Sequence, residues 1–373
     1  MAAKTGLSAV WHDEGKRWEI RELPRPETEP DGVSIRVQAT SVCGSDLHLW
    51  RGDGVPEGTY RDPFVFGHEM MGTVAELGSK ITTDSLRQPL HEGDRVVFAY
   101  FFPCMRCYNC IRGEMGACKF RGARKPLEEW PVCNGGFAQY YYLRAPQFLF
   151  KLPDELDDAA AAPVNCALAQ VMEAFHIAKP RFGDNVVIQG AGGLGVNATA
   201  VAAEMGANKV IVIDGQEPRL EMARRCGATH TISIKDFPTP ESRIQRVMEL
   251  TNGVGADIVL EVVGFPAAVE EGVQMARMRG TYLEVGHIST NSIAHLDVQK
   301  LVSNQLRFFA IQHYDPWIIP YALDFLMRTR EKYPLTKVIS HSYGIDQIDE
   351  AFKTAEWLGR EAGSVVTRAI VTP

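Results

Sequence analysis

A chain of 373 residues exceeds the usual size of a single hydrophobic core, and this length predicts two domains. Its 45% hydrophobic and 23% charged residues are ordinary for a globular protein, and its net charge of −7 argues against nucleic acid or an anionic membrane as the main partner. The N-terminus lacks the apolar core of a signal peptide, and the spacing of the eight cysteines is typical of metal sites. These features favour a cytoplasmic protein rather than a secreted disulfide scaffold.

The first part of the chain, up to about residue 167, contains short strand-like runs separated by Gly and Pro. Residues 33–37 and 94–98 are examples, and the polar segment 79–92 is expected to form a surface loop. This pattern predicts a compact, mostly β domain.

Four cysteines lie within fifteen residues of one another in this first part: Cys104, Cys107, Cys110 and Cys118. Four thiolates from one short loop suit a tetrahedral zinc ion with no open position for a substrate. The spacing therefore predicts a structural zinc site that holds a loop in place.

Three further residues of zinc-ligand type are spread over the same region: Cys43, His68 and Cys166. Each alone has an ordinary explanation, because cysteine is often a small core residue and a buried histidine is usually just hydrogen-bonded. Residue types alone leave their role open.

From about residue 184, strand-like runs alternate with helical stretches. The predicted strands are 185–188, 209–214, 231–234, 257–263 and 281–285, and the predicted helices are 195–205 and 218–226. Apolar strands spaced by helices indicate a doubly wound parallel sheet covered on both faces. After about residue 310 the alternation stops, and this segment is expected to rejoin the first domain.

A glycine-rich turn joins the first predicted strand of this region to the first helix. It comprises Gly190, Ala191, Gly192, Gly193, Leu194 and Gly195, and an acid, Asp214, ends the second strand. This context predicts a dinucleotide site, with the diphosphate at the helix N-terminus and Asp214 accepting hydrogen bonds from the adenosine ribose. A 2′-phosphate would face a like charge there, so we expect NAD rather than NADP.

Five ordered motifs resemble the zinc-dependent alcohol dehydrogenases of the medium-chain dehydrogenase/reductase superfamily. They are CGSD at 43–46, GHE at 67–69 with a following Gly72, the four-cysteine loop, APVNC at 162–166 and GAGGLG at 190–195. The resemblance implies an α/β protein with a mostly β, GroES-like catalytic domain over 1–167 and a Rossmann domain over 168–310. Residues 311–373 would complete the catalytic domain.

The resemblance also implies roles for individual residues. Cys43, His68 and Cys166 would hold a catalytic zinc, with Glu69 beside the metal and Asp46 orienting His68. Ser45 would take the proton of the substrate hydroxyl, and a relay would continue through the cofactor ribose to His48. The remaining implied contacts are Arg219, Arg368, Val263 and Val285 to the cofactor, and Trp50 and Tyr100 to the substrate.

The function implied is hydride transfer between NAD and an alcohol that is secondary, cyclic or aromatic, by a homodimer or homotetramer with one catalytic and one structural zinc per subunit. The alternatives are a polyol or sugar-alcohol dehydrogenase of the same superfamily and a non-catalytic NAD-binding redox sensor. A zinc-free enone reductase is disfavoured, because such relatives lack the Cys43, His68 and Cys166 set.

Overall fold

The computed structural model describes residues 4–52, 63–121, 135–287, 289–290, 292–356 and 368–373. The first three residues, which belong to the N-terminus considered above, lie outside these ranges. Within the described residues, no helix is long and apolar enough to cross a membrane.

The described parts of the chain contain sixteen strands. In chain order they are β1 (Thr5–His12), β2 (Arg17–Pro24), β3 (Val33–Ser41), β4 (Phe64–Val65), β5 (Glu69–Leu77), β6 (Arg95–Phe98), β7 (Tyr140–Leu143), β8 (Leu149–Lys151), β9 (Asn185–Gln189), β10 (Lys209–Asp214), β11 (His230–Ser233), β12 (Ala256–Glu261), β13 (Ala276–Glu284), β14 (Arg307–Ala310), β15 (His341–Gly344) and β16 (Ala369–Thr372).

The same parts contain eleven α-helices and four 3₁₀ helices. The α-helices are α1 (Gly44–Arg51), α2 (Tyr108–Ile111), α3 (Asp158–Ala161), α4 (Ala167–Ala178), α5 (Gly193–Glu204), α6 (Glu217–Arg225), α7 (Pro240–Leu250), α8 (Pro266–Met275), α9 (Val298–Ser303), α10 (Ile318–Thr329) and α11 (Ile348–Ala355). The 3₁₀ helices are Met115–Ala117, Ala162–Asn165, Leu335–Val338 and Ile345–Gln347.

A six-stranded sheet forms the centre of the second half of the chain. Its order is β11-β10-β9-β12-β13-β14, and every neighbouring pair is parallel. This order is that of a Rossmann sheet, whose ligands bind beyond the carboxyl ends of the strands where the strand order reverses, here between β9 and β12. β9 and β10 are buried along almost their whole length, as expected for strands covered on both faces.

The first half of the chain forms two further sheets. One has the order β2-β1-β4, and the other has the order β15-β16-β3-β5-β6-β8, with β7 also paired to β3. Strands β15 and β16 come from the end of the chain, and β16 pairs antiparallel with β3. The predicted α/β class, a Rossmann sheet plus a mostly β region, is confirmed. The domain limits at residues 167 and 310 stay predictions. Helix α10 lies in the segment assigned to the catalytic domain, but it packs against α4 in the segment assigned to the Rossmann domain.

Candidate active site

Four metal-ligand side chains converge between the mostly β region and the Rossmann sheet. Cys43 precedes α1, His68 and Glu69 lie at the start of β5, and Cys166 precedes α4. All four are buried, and one ligand atom from each lies within 4.8 Å of the others. Residues 123 positions apart in sequence therefore meet at one point, which local sequence patterns do not specify.

A hydrogen-bond network fixes His68 within this group. Its Nδ1 lies 3.4 Å from Asp46 Oδ1, and the Asp46 carboxylate also accepts the N–H groups of Cys43 (3.1 Å) and Gly67 (3.3 Å). The other ring nitrogen, Nε2, is 3.3 Å from Ser45 Oγ. Because a carboxylate holds Nδ1, Nε2 is the nitrogen available to a metal, which is the arrangement expected for a ligating histidine.

The backbone at Gly67 allows His68 to take this position. Gly67 has φ of +93°, and a Cβ there would come within 3.0 Å of the Phe137 nitrogen and the Thr40 side chain. A side chain at residue 67 would therefore be strained and crowded at once. The glycine of the GHE motif brings the histidine to the other ligands.

Glu69 is paired with an arginine from the end of the chain. Arg368 Nη1 contacts Glu69 Oε2 and donates to Ser41 Oγ at 3.0 Å, and Arg368 and Glu69 are both buried. Burial raises the pKa of Glu69 to about 8 even though Arg368 opposes the shift. The other carboxylate oxygen, Glu69 Oε1, has no hydrogen-bond partner among the described residues.

The donor set fits zinc. Two thiols and one imidazole are ligands that zinc prefers, and three protein ligands leave a fourth position for a substrate. Burial lowers the pKa of His68, but the charges of Asp46 and Cys43 outweigh it and raise that pKa well above its usual value. The hydrogen bond from Cys166 lowers the pKa of Cys43. The site therefore has a negative potential that favours a bound cation.

The four-cysteine loop forms a second, separate group. One sulfur from each of Cys104, Cys107, Cys110 and Cys118 lies within 4.8 Å of the others. The Cys107 and Cys118 sulfurs are 3.8 Å apart, which equals the edge of a tetrahedron with zinc–sulfur bonds of about 2.3 Å. These residues fit a closed zinc site of four thiolates.

This loop is tied to the segment that follows the Rossmann sheet. The Gly116 N–H donates to Asp315 Oδ1 at 2.8 Å, and a Cβ on Gly116 would come within 2.7 Å of the Tyr314 carbonyl oxygen. A metal that holds the loop would thus also fix the position of Tyr314, whose hydroxyl bonds to the Asn165 carbonyl next to Cys166.

The glycine turn lies at the carboxyl end of β9, where the strand order reverses. Gly190 has φ of +103°, and a Cβ on Gly195 would come within 1.9 Å of the Gly190 carbonyl oxygen. A Cβ on Gly192 would meet nothing within 4 Å, so the turn leaves open space there. The N-terminus of α5 begins at Gly193, beside Leu194, and provides unpaired N–H groups for a diphosphate.

Arg368 connects the glycine turn to the metal-ligand group. A Cβ on Gly193 would come within 1.9 Å of Arg368 Nη2, while Nη1 of the same guanidinium contacts Glu69. The Arg368 guanidinium lies between the two sites, so its positive charge can bind a diphosphate and balance the Glu69 carboxylate at the same time. The structure therefore brings the predicted nucleotide turn next to the predicted metal ligands.

The other predicted cofactor residues surround the same turn. Asp214 is buried, and its carboxylate accepts the N–H groups of Ala191 and Gln216, both at 2.8 Å. The Val263 side chain lies against Gly190, and Val285 is buried just beyond β13. Arg219 is half-buried in the first turn of α6, and its contact with ribose stays a prediction.

Comparison with known protein families matches both halves of the chain. A model described as the alcohol dehydrogenase GroES-like domain covers residues 29–154, and one described as the zinc-binding dehydrogenase covers residues 193–328. The chain is also 34% identical over 350 residues to 5-exo-hydroxycamphor dehydrogenase from Pseudomonas putida, covering 91% of this chain and 93% of that protein. The chain belongs to the zinc-dependent alcohol dehydrogenases of the medium-chain dehydrogenase/reductase superfamily.

Two further relatives support this placement within the zinc-dependent alcohol dehydrogenases. Sorbitol dehydrogenase from Bacillus subtilis is 30% identical over 348 residues, which is 93% of each chain. The crystal structure of an alcohol dehydrogenase from Thermotoga maritima superposes with a TM-score of 0.90 at 27% identity, covering 99% of this chain and 100% of that one. The chain is thus a zinc-binding dehydrogenase over nearly its full length.

The predicted relay and substrate residues of this dehydrogenase lie in different surroundings. His48 Nδ1 is 2.9 Å from Ser289 Oγ and 3.1 Å from Arg51 Nη2. Tyr100 is close to the metal-ligand group, since its ring centroid is 4.9 Å from that of His68. Trp50 instead contacts Trp11 and Phe352. Its role towards substrate stays a prediction.

The sequence analysis did not identify His313 as a residue of this dehydrogenase's site. Its ring packs against Tyr100 and Phe101, with centroid distances of 5.9 and 5.5 Å. The residue has φ of +68°, and its Nδ1 is buried without a partner in the described part of the chain. Burial lowers the pKa of His313 to about 3, so the ring is neutral at physiological pH. The sequence around His313, from Ile311 to Trp317, contains no motif that would mark this residue.

Proposed function

We propose that this protein is an NAD-dependent dehydrogenase that interconverts a secondary, ring-bearing alcohol and its ketone, with one catalytic and one structural zinc per subunit. The observation that carries the proposal is the position of Arg368, which contacts Glu69 of the metal-ligand group and lies against Gly193 of the nucleotide turn. A nicotinamide bound through that turn would react beside the metal site. The chain thus has a binding site for each of the two groups that the reaction needs, the zinc ion and the nicotinamide.

The chemistry divides between the bound groups and the protein. When bound, the zinc acts as a Lewis acid that lowers the pKa of the substrate hydroxyl, and NAD accepts a hydride from the carbinol carbon. Ser45 Oγ lies within hydrogen-bond distance of His68 Nε2, the nitrogen that would bind the metal, and would accept the hydroxyl proton while it passes its own proton to the cofactor ribose. Asp46 keeps His68 in the tautomer and orientation that this requires.

His48 is the proposed end of the proton relay. Arginine can only donate hydrogen bonds, so the contact from Arg51 Nη2 makes His48 Nδ1 an acceptor and leaves the ring proton on Nε2. The Ser289 hydroxyl, 2.9 Å from the same Nδ1, comes from the Rossmann side of the cleft. With the ring proton on Nε2, a proton passed through the cofactor ribose would have to enter His48 at Nδ1, where it would replace the hydrogen bond from Arg51 or Ser289.

The surroundings of the metal ligands favour a ring-bearing substrate. Tyr100, Phe101, His313 and Tyr314 form a group of ring contacts that extends from His68. Phe101 and Tyr314 are buried, while Tyr100 and His313 are only half-buried, and aromatic rings suit apolar rings better than hydrated polyols. The similarity to a hydroxycamphor dehydrogenase, whose name indicates a cyclic alcohol, supports the same choice.

A polyol dehydrogenase is the second candidate. The similarity to a sorbitol dehydrogenase favours it, and so does the unpartnered His313 Nδ1, which could bond to a second substrate hydroxyl. The two candidates differ in the effect of His313→Phe. For a polyol substrate, the loss of this bond would lower kcat/KM by about tenfold or more, since an unpaired buried group costs about 1–3 kcal/mol. For an apolar cyclic alcohol, kcat/KM would change by less than about threefold.

We also propose that the protein is a cytoplasmic homodimer or homotetramer. Strand β14 is the last strand of the Rossmann sheet among the described residues, and all four of its residues are exposed, including Phe308 and Phe309. Exposed apolar residues on α9, Val298 and Val302, lie next to it in sequence. An apolar sheet edge of this kind is a site for pairing with a second chain. Light scattering measures the oligomeric state, and a monomer at micromolar concentration would refute the proposed oligomer.

The proposed activity is tested with zinc-loaded protein, a panel of alcohols and NAD or NADP, followed at the nicotinamide absorbance. Cyclic secondary alcohols, linear alcohols and polyols such as sorbitol form the panel. We expect the highest kcat/KM for a cyclic secondary alcohol with NAD. Turnover of none of these classes by protein that retains its zinc would reject the proposal.

A further inference from the structure

A third group of metal-ligand side chains lies in the Rossmann domain, away from both cysteine-containing groups. It consists of Glu261, Glu284 and His287, each of which has a ligand atom within 4.8 Å of the other two. Glu261 ends β12 and Glu284 ends β13, and the two residues pair in register on these neighbouring strands. The two carboxylates therefore lie side by side at the carboxyl edge of the sheet.

Each member of this group has an unsatisfied polar atom. Glu261 is fully buried, and its Oε1 accepts the N–H groups of Val263 and Gly264 at 2.6 and 2.7 Å. Its other oxygen, Oε2, has no hydrogen-bond partner in the described chain, and the same holds for Glu284 Oε2 and His287 Nε2. Buried polar atoms without partners are rare in folded proteins, and two such carboxylate oxygens on neighbouring strands indicate a bound water, ligand or ion.

The charges of the group are also unbalanced. Carboxylates directly opposite each other on neighbouring strands repel. His287 Nδ1 is 2.9 Å from Glu284 Oε1 and 3.6 Å from Glu261 Oε2, and the His287 backbone N–H also donates to Glu284 Oε1 at 3.1 Å, so one side chain faces both carboxylates. Burial and the charge of Glu261 raise the pKa of Glu284 to about 7, and the nearby carboxylates of Glu261 and Glu284 raise the pKa of His287 to about 9. The same negative potential that holds these protons favours a cation.

We propose that Glu261, Glu284 and His287 bind a third metal ion, a divalent cation of the Mn²⁺ type that prefers carboxylate and imidazole ligands. Adjacent ligands of a metal with bonds of about 2.1 Å are about 3.0 Å apart in an octahedral site and about 3.4 Å apart in a tetrahedral one. The two distances from His287 Nδ1 are close to this range. The set contains no thiolate, which distinguishes it from both zinc groups.

A metal ion at this site would also hold two segments of the predicted cofactor pocket. Val263 follows β12 by two residues, and Val285 follows β13 directly; both are predicted cofactor contacts. A cation bound to Glu261 and Glu284 joins the ends of these strands and fixes both segments. The Gly286 backbone also approaches the site closely, since a Cβ there would come within 2.4 Å of Glu261 Oε2. The proposal goes beyond the dehydrogenase reaction and depends on neither substrate nor zinc.

The test is a titration of zinc-loaded protein with Mn²⁺ at pH 8, followed by electron paramagnetic resonance, with released zinc measured in the same samples. Glu284→Gln and His287→Gln each remove one ligand. The control is Glu249→Gln, which removes one carboxylate from an exposed ion pair on α7 in the same domain. Circular dichroism and thermal unfolding establish that each variant is folded.

We expect the wild type to bind one Mn²⁺ per chain with ¹⁴N coupling from an imidazole, without release of zinc. Each ligand variant should weaken this binding at least about tenfold, and His287→Gln should abolish the ¹⁴N coupling. The control should bind as the wild type does. Absence of Mn²⁺ binding, equal binding by all four proteins, or binding that releases zinc in equal amount would each overturn the proposal.

Discussion

Cofactor choice depends on a single buried carboxylate, Asp214, at the end of β10. Two backbone N–H groups hold this carboxylate, and one of them, that of Ala191, belongs to the glycine turn. A ribose bound along the turn would place its hydroxyls, or a 2′-phosphate, against this fixed charge. Two unit charges 4 Å apart at an effective dielectric of 20 repel by about 4 kcal/mol, which is a factor of about 10³.

Asp214→Asn removes the charge and keeps the shape of the side chain. We expect the ratio of kcat/KM for NAD to that for NADP to fall by about 10²–10³, chiefly through better use of NADP. The control, Asp236→Asn, removes the same charge from an exposed residue beyond β11, where solvent screening should keep the ratio within about twofold. A wild-type preference for NADP, or equal ratios for Asp214→Asn and the control, would refute the reasoning.

Three other variants test separate parts of the account. Ser45→Ala should lower kcat by about 10²-fold or more while zinc stays bound, as loss of a positioned proton acceptor predicts; unchanged turnover would remove Ser45 from the mechanism. Cys43→Ala should abolish activity and lower the metal content from two zinc ions to one, and two retained zinc ions would contradict the ligand assignment. Arg243→Met breaks a buried ion pair with Glu271 between α7 and α8 and should cost about 3–5 kcal/mol of stability in chemical unfolding. Adding Glu271→Leu should recover most of that loss, and no recovery would show that the pair is not the cause.

Much of the Rossmann domain could be predicted from sequence, because its signals are local. The strand at 209–214 was predicted with the bounds observed for β10, three other strands of this sheet were predicted to within two residues at each end, and the strand predicted at 281–285 begins five residues after the start of β13. Apolar runs mark buried parallel strands, and the glycines mark the turn. The family resemblance supplied the candidate metal ligands, whose convergence at one point the structure describes.

Other features depend on contacts between distant parts of the chain and have no local signal. The ion pair of Glu69 with Arg368 joins residues 299 positions apart, and the bond of His48 with Ser289 joins residues 241 apart. The contacts of Trp50 likewise depend on the packing of Trp11 beneath it. Sequence spacing does not determine which side chains meet across a cleft, so these contacts became visible only in the folded chain.

We assign Cys43, His68 and Cys166 to one metal ion beside a bound dinucleotide. Anomalous diffraction at the zinc edge, from crystals grown with zinc and NAD, tests this assignment directly. We expect two zinc peaks per chain in addition to any other metal. One of them should lie about 2.3 Å from the Cys43 and Cys166 sulfurs and about 2.1 Å from His68 Nε2. A dinucleotide bound at the glycine turn with no zinc at these three residues would contradict the account.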